Sequence, residues 1–244
     1  MGGGTLAYTL QLFFDFSGYS EMAIGLGLML NYNLPLNFDT PYRSCSIIDF
    51  WRKWHMTLSA FLKNYLYIPL GGNRNGHHMR NILITMFLGG LWHGAGWTFI
   101  FWGVLHGIFI CINHLWRRTT YILPNAIAWL LTFNAVNLAW IFFRAESFSQ
   151  AIKIIQAMLD WNSFAVPYSG TLGKFSSAFL SHESVLTVDN LLIITVLLIF
   201  SLVEIKVHLI EKCNEIVLAV ALSAVFLYCF TKLGTISEFL YFQF

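Results

Sequence analysis

Residues 81–116 read NILITMFLGGLWHGAGWTFIFWGVLHGIFICINHLW. The stretch holds three histidines and no Asp, Glu, Lys or Arg. Its first part, Asn81–Trp92, is too short to cross about 30 Å of hydrocarbon at about 1.5 Å per residue. Its second part, Ala95–Trp116, is long enough. The spacing predicts a broken or re-entrant helical element, with Gly89-Gly90 as the break. Irregular backbone at membrane depth is tolerated only inside protein or beside a water-filled cavity. The stretch therefore points to a helical membrane protein with a site near its glycine-rich middle.

The rest of the chain agrees. Its 244 residues are 57% hydrophobic and 11% charged, against about 25% charged in a soluble domain. Further apolar runs cover Thr5–Leu30 (interrupted by Asp15), Ile122–Phe143, Asn190–Val207 and Glu215–Thr231. Runs near 20 residues exclude the alternating ten-residue segments of a transmembrane β-barrel. We expect an all-α, polytopic transmembrane fold, with residues 1–244 forming one membrane domain. The net charge of +2 gives no footprint for nucleic acid. Cys45, Cys111, Cys213 and Cys229 form no CxxC, so neither a disulfide framework nor a metal site is indicated. The start, Met1-Gly2-Gly3-Gly4, lacks the basic region of a signal peptide. Leu6 stands where a myristoylation signal needs Ser or Thr.

Residues 37–80 differ in kind. Arg43, Arg52, Lys53, Lys63, Arg74 and Arg80 face only Asp39 and Asp49 there. Such a bias marks the cytoplasmic side. Its centre, Ile47–Ile68, reads as an amphipathic helix ended by Pro69-Leu70-Gly71-Gly72, with Asp49 favourably placed near its start. If Asn81–Trp92 enters partway and Ala95–Trp116 returns, Arg117-Arg118 lies inside and the polar loop 144–189 outside. One long span from Asn81 to Trp116 would put Arg117-Arg118 outside, against the charge rule.

Among residues that can carry chemistry, His93 stands out in Gly89-Gly90-Leu91-Trp92-His93-Gly94-Ala95-Gly96-Trp97. An ionisable group at membrane depth is costly and marks a pathway or site. Imidazole suits proton transfer near neutral pH. A satisfied core histidine competes evenly with catalysis on local chemistry alone. His106 lies 13 residues on; on a continuous helix it would face away from His93, which favours packing or hydrogen bonding. His55 sits in Trp51-Arg52-Lys53-Trp54-His55-Met56. The residues alone favour an interfacial helix with belt aromatics and snorkelling cations over a polar residue delivered to the cavity of His93. Asp15 and Glu21, six residues apart, do not share a helical face, so a paired-carboxylate mechanism is weak. Gly71-Gly72-Asn73-Arg74-Asn75-Gly76 lacks the Gly-Lys-Ser/Thr ending of a phosphate loop, although Arg74 and Arg80 can attract an anion. His77-His78 reads as a solvated pair.

Several motifs occur together and in order. They are Asp15-Phe16-Ser17-Gly18-Tyr19-Ser20, Asn37-Phe38 with Pro41-Tyr42, and Phe50-Trp51-Arg52-Lys53-Trp54-His55-Met56. Tyr65-Leu66-Tyr67-Ile68-Pro69-Leu70-Gly71-Gly72-Asn73-Arg74, Gly90-Leu91-Trp92-His93-Gly94-Ala95 and Trp102-Gly103-Val104-Leu105-His106-Gly107 follow. Phe142-Phe143-Arg144-Ala145 and the terminal Phe239-Leu240-Tyr241-Phe242-Gln243-Phe244 complete the series. It resembles the membrane-bound O-acyltransferases, in their alginate O-acetylation branch, most strongly over Leu6–Leu115. The resemblance implies a polytopic bacterial plasma-membrane enzyme with a tunnel through a helical body. His93 matches the family's essential histidine and His55 its second characteristic polar position. Trp92, Asp15, Trp51 and Arg74 are then the expected substrate-binding residues. Acetyl-CoA is the implied acyl donor, and a hydroxyl of an exported polysaccharide the acceptor. Transfer is direct or through a partner acetyltransferase outside the cytoplasm. His93 would act as general base or transient acyl carrier. Lys53 replaces the arginine usual at its position, which keeps the charge and loses the guanidinium fork. Members of the family have several more spans before the Asp15 motif, so the chain resembles the C-terminal half of such an enzyme. D-alanyl transfer to teichoic acid, a proton-coupled transporter and a silent membrane scaffold are the competing readings.

Overall fold

The first long apolar run becomes helix α1, Gly2–Met29. The computed structural model describes residues 2–74, 76–159 and 188–202, and the described residues form helices and connecting turns without strands. The polar segment that follows carries two short helices, α2 (Ile47–Lys53) and α3 (Met56–Leu62). Helices α4 (His78–His93), α5 (Trp97–Trp116) and α6 (Asn125–Arg144) make the central bundle. Helices α7 (Phe148–Leu159) and α8 (Val188–Leu202) follow.

Two of these, α5 and α6, are long and apolar enough to cross a membrane. At 20 residues each they reach about 30 Å. Helix α4 has 16 residues, about 24 Å, and falls short as expected. The break comes later than the sequence reading placed it. Gly89 and Gly90 lie inside α4, buried, and the chain turns at Gly94-Ala95-Gly96. The Gly94 N–H closes α4 on the Leu91 carbonyl at 3.2 Å, and the Ile100 N–H opens α5 on the Gly96 carbonyl at 3.2 Å. A Cβ on Gly94 would stand 2.8 Å from the Phe99 ring.

The turn folds α4 and α5 into a close hairpin. A Cβ on Gly90 would run into the Phe99 carbonyl oxygen, and one on Gly103 into the Met86 carbonyl oxygen. Gly107 faces Leu83 in the same groove. Gly103 and Gly107 are one turn apart, the small-residue spacing that lets helices approach closely where no hydrophobic drive separates protein from lipid. Gly90 and Gly103 are therefore packing residues, which explains why a glycine pair sits inside a helix.

Helix α6 joins α1 through buried polar bonds. The Thr9 hydroxyl donates to Asn137 Oδ1 at 2.6 Å, and the Tyr42 hydroxyl donates to the Thr9 carbonyl at 2.7 Å. The Trp129 indole N–H donates to the Tyr42 carbonyl at 2.8 Å. Around these bonds lies a core of Phe13, Phe38, Phe50, Trp54, Trp102, Trp140, Phe142 and Phe143, all buried. Helix α8 packs against α1 and the Pro41–Arg43 turn.

The single amphipathic helix expected over Ile47–Ile68 is not one helix. It breaks at Trp54-His55, restarts as α3, and widens over Lys63–Tyr67. There the Ile68 and Gly72 N–H groups bond carbonyls five residues back, at 2.9 Å each. Trp51, Trp54 and Leu58 are buried on either side of the break. The start is as expected: the Ser46 hydroxyl caps α2 by accepting the Asp49 N–H at 3.1 Å. Asp49 also pairs with Lys53 at 3.2 Å. The segment read as a polar loop, 144–189, begins with helix α7. The expected span Glu215–Thr231, the terminal motif and residues 160–187 lie outside the described residues.

Candidate active site

His93 is the last residue of α4. Its ring is held on three sides by aromatic neighbours at steep angles. Trp92 lies at 4.9 Å between ring centroids, Trp102 at 5.1 Å and Phe143 at 5.2 Å. Trp102 comes from α5 and Phe143 from α6, so three helices build the collar. Trp102 is itself stacked on Trp140 at 5.7 Å. Among the described residues no side chain exchanges a hydrogen bond with the His93 ring, and its edge reaches the surface. The ring is thus oriented by packing.

His55 arrives from the other side. It stands between α2 and α3 with φ 42° and ψ 59°, a left-handed conformation uncommon outside glycine. Asn37 holds that turn. Its carbonyl accepts the Met56 N–H at 3.0 Å. Its Oδ1 accepts the Thr57 N–H at 3.3 Å and the Thr57 hydroxyl at 2.7 Å. The Asp39 N–H adds a bond to the Lys53 carbonyl at 3.0 Å, on the other side of the bend. The His55 ring meets Phe16 edge-on at 4.7 Å. Burial pushes the His55 imidazole down to about 4, because a low-dielectric setting disfavours the charged form. It is neutral at pH 7.

A chain of packed aromatic rings links the two predicted catalytic residues. It runs from Phe16 to Phe38 at 4.9 Å, to Trp54 at 5.0 Å, to Trp140 at 5.1 Å and to Phe143 at 5.3 Å. Phe143 then touches His93.

The residues expected to bind substrate are scattered around this pair. Trp92 is 59% exposed beside His93. Asp15 is half-buried on α1, next to the Phe16 that touches His55. Trp51 is buried, and its indole N–H is taken by His106 Nδ1 at 3.2 Å, which makes it part of the wall. Arg74 is exposed in the turn after Gly71-Gly72, both of which have positive φ. That turn is tied to α4 by Asn81 Nδ2, which donates to the Gly72 carbonyl at 3.0 Å. Among the described residues Arg74 makes no contact with the histidine pair.

His106 is fully buried and close to Trp102 at 5.0 Å. The expectation that it faces away from His93 assumed a continuous helix; the hairpin leaves one indole ring between them. Asn37, Trp102 and Phe143 are the site residues that reasoning from residue types missed. Asn37 sits in irregular chain, where an amide able to bond backbone on both sides is a usable signal. A cavity of about 790 Å³ lies elsewhere, between the start of α2, the end of α5 and the start of α6. Arg52, Arg117 and Asn113 line it, and neither His55 nor His93 does.

Comparison with known proteins bears on the family of the chain. A "Peptidoglycan O-acetyltransferase" of Helicobacter pylori is 47% identical over 199 residues, covering 79% of this chain and 36% of that protein. A "Probable alginate O-acetylase" of Pseudomonas putida is 51% identical over 164 residues, covering 65% of this chain and 34% of that protein. A "Teichoic acid D-alanyltransferase" of Streptococcus thermophilus is 31% identical over 167 residues, covering 58% and 40%. The chain thus spans about a third of the length of the curated relatives it matches. The family model described as MBOAT, membrane-bound O-acyltransferase family, matches residues 3–148, which hold both histidines and every element that positions them. The chain belongs to the membrane-bound O-acyltransferase family.

Proposed function

We propose that this chain carries the catalytic centre of an O-acetyltransferase of the bacterial plasma membrane, with a hydroxyl of an exported polysaccharide as acceptor. The observation that carries the reading is the aromatic wall that links His93 and His55. One imidazole has its nitrogens unclaimed by the described residues, and the other is held neutral. His93 is the general base. It removes the proton of the attacking hydroxyl as the new C–O bond forms and the C–S bond of the thioester breaks, then returns that proton to the leaving thiolate. His55 supplies a neutral hydrogen-bonding group to the same reacting centre. Trp92 and Asp15 flank the substrate path, and Trp51 shapes its wall. Arg74 draws an anionic donor, acetyl-CoA, to the cytoplasmic face. An acetyltransferase outside the cytoplasm takes part in delivery to the polymer.

The names of the relatives support this reading. Those at 47% and 51% identity are named for O-acetylation of peptidoglycan and alginate. D-alanyl transfer has weaker support, from relatives at 30% and 31%. A direct test supplies membranes containing the chain and its glycan-export machinery with labelled acetyl-CoA or a labelled D-alanyl donor. The reading predicts base-labile label on glycan from acetyl-CoA alone. Label from the D-alanyl donor alone would replace it with the teichoic acid reaction. Solute flux without donor consumption would replace it with a transporter.

A further inference from the structure

Helix α2 ends two residues before His55, and helix α5 carries the Trp102 that walls His93. The two helices thus carry neighbours of both site histidines. One buried polar bond crosses between these helices: the Trp51 N–H donates to His106 Nδ1 at 3.2 Å. Trp51 is four residues before His55, and His106 is one helical turn from Trp102. Both rings also touch Trp102, at 5.9 Å from Trp51 and 5.0 Å from His106. Accepting at Nδ1 leaves the neutral imidazole its proton on Nε2. That nitrogen is buried without a partner among the described residues, so the Trp51 bond alone fixes the ring's polar side there. A buried bond of this sort is more sharply directional than the surrounding ring contacts.

From this geometry we infer that His106 is a positioning residue, acting through Trp51 to hold His55 in register with His93. It does not touch substrate and exchanges no proton with it. The kinetic part of the test rests on the acyl-transfer reading above; the distance part does not. Misplacing reacting groups by about 1 Å can cost about 100-fold in rate. Trp51→Phe and His106→Phe should therefore each lower kcat by about 10-fold or more, with KM nearly unchanged. The double variant should lose no more than either single one, because both remove the same bond. His106→Asn returns an acceptor near the Nδ1 position and should recover part of kcat. The pH midpoint of kcat should stay put in all of them.

The distance arm uses His55→Cys with His93→Cys, the native cysteines replaced by serine, and a short bifunctional thiol reagent. Cross-linking should be efficient with Trp51 and His106 intact, weak with Trp51→Phe, and partly restored by His106→Asn in place of His106→Phe. Unchanged cross-linking in Trp51→Phe and His106→Phe would overturn the inference. So would full kcat in those variants, or a pH midpoint that moves with His106. A parent protein without acyl transfer would sink the proposed function instead, and the cross-linking yields would still decide the strut.

Discussion

At the scale of single residues, His55 adopts a backbone that costs a non-glycine residue about 1–2 kcal/mol. Asn37 offsets this with one carbonyl and one amide oxygen that together take three donors. Asn37→Ala removes two of those bonds and leaves the Thr57 N–H and hydroxyl without their acceptor. We expect a loss of about 1–3 kcal/mol and a larger relative loss of activity, checked by thermal unfolding in detergent beside acetyl transfer. His55 also makes stability depend on pH. Its folded value, about 4, lies below the ordinary 6.5. The unfolded chain therefore binds the extra proton first as pH falls. Stability from this group is complete above about pH 6.5 and is lost between there and about pH 4. His55→Asn, which tolerates the left-handed backbone, should flatten that part of the unfolding-versus-pH curve; an unchanged slope would contradict the burial argument. Residue types pointed to His93 and the family resemblance to His55, but neither singled out Asn37. A histidine in left-handed backbone has no compositional signature, and the amide that holds it lies 18 positions earlier.

At the scale of elements, the α4–α5 hairpin is set by glycines of two kinds. Gly94 and Gly96 make the turn; Gly90, Gly103 and Gly107 make the contact. The sequence reading found the break but put it at Gly89-Gly90, since adjacent glycines in a short apolar run look like a breaker. In the structure they serve close helix packing, a role that composition cannot separate from a turn. The continuous amphipathic helix over Ile47–Ile68 failed for a related reason. Helical periodicity continued through His55, and the bend comes from a partner strand of chain at Asn37–Asp39. Gly103→Val should push α4 and α5 apart and cost about 1–3 kcal/mol, with loss of transfer. Gly18→Ala is the matched control. It adds a methyl where nothing lies within 4 Å and should leave stability equal or raise it by about 0.5–1 kcal/mol. Melting temperatures of the two proteins decide the point, and equal destabilisation would show that the hairpin contact is not what Gly103 is for.

At the scale of the whole molecule, the hairpin has a consequence for topology. It returns the end of α5 to the start of α4, where Arg118 lies 3.5 Å from His78 and the His78 and His114 rings meet at 5.7 Å. Arg80, Arg117 and Arg118 thereby gather at one end, and His93 lies at the other end of α4. This is the arrangement the charge rule favours over one long span. Asn73→Cys and Thr119→Cys should both react with a membrane-impermeant maleimide from the cytoplasmic side only; opposite labelling would restore the single span. Many apolar side chains outside the core, Leu26, Met29, Leu130 and Leu131 among them, are exposed, as expected for surfaces that meet lipid or further protein. The apolar runs made the helical membrane class legible, because length and hydropathy suffice for it. The convergence of α2, α4, α5 and α6 on one aromatic group was not legible, because it depends on two bends and a hairpin.

The central claim is that His93 is the reacting base. Its most direct test is acetyl transfer from labelled acetyl-CoA in native membranes, with the chain and its export machinery present. His93→Ala at matched expression and insertion is the comparison. Removing a general base costs about 100- to 10,000-fold, so label on glycan should fall to background in the variant. Transfer at the parent rate by correctly inserted His93→Ala protein would contradict the account.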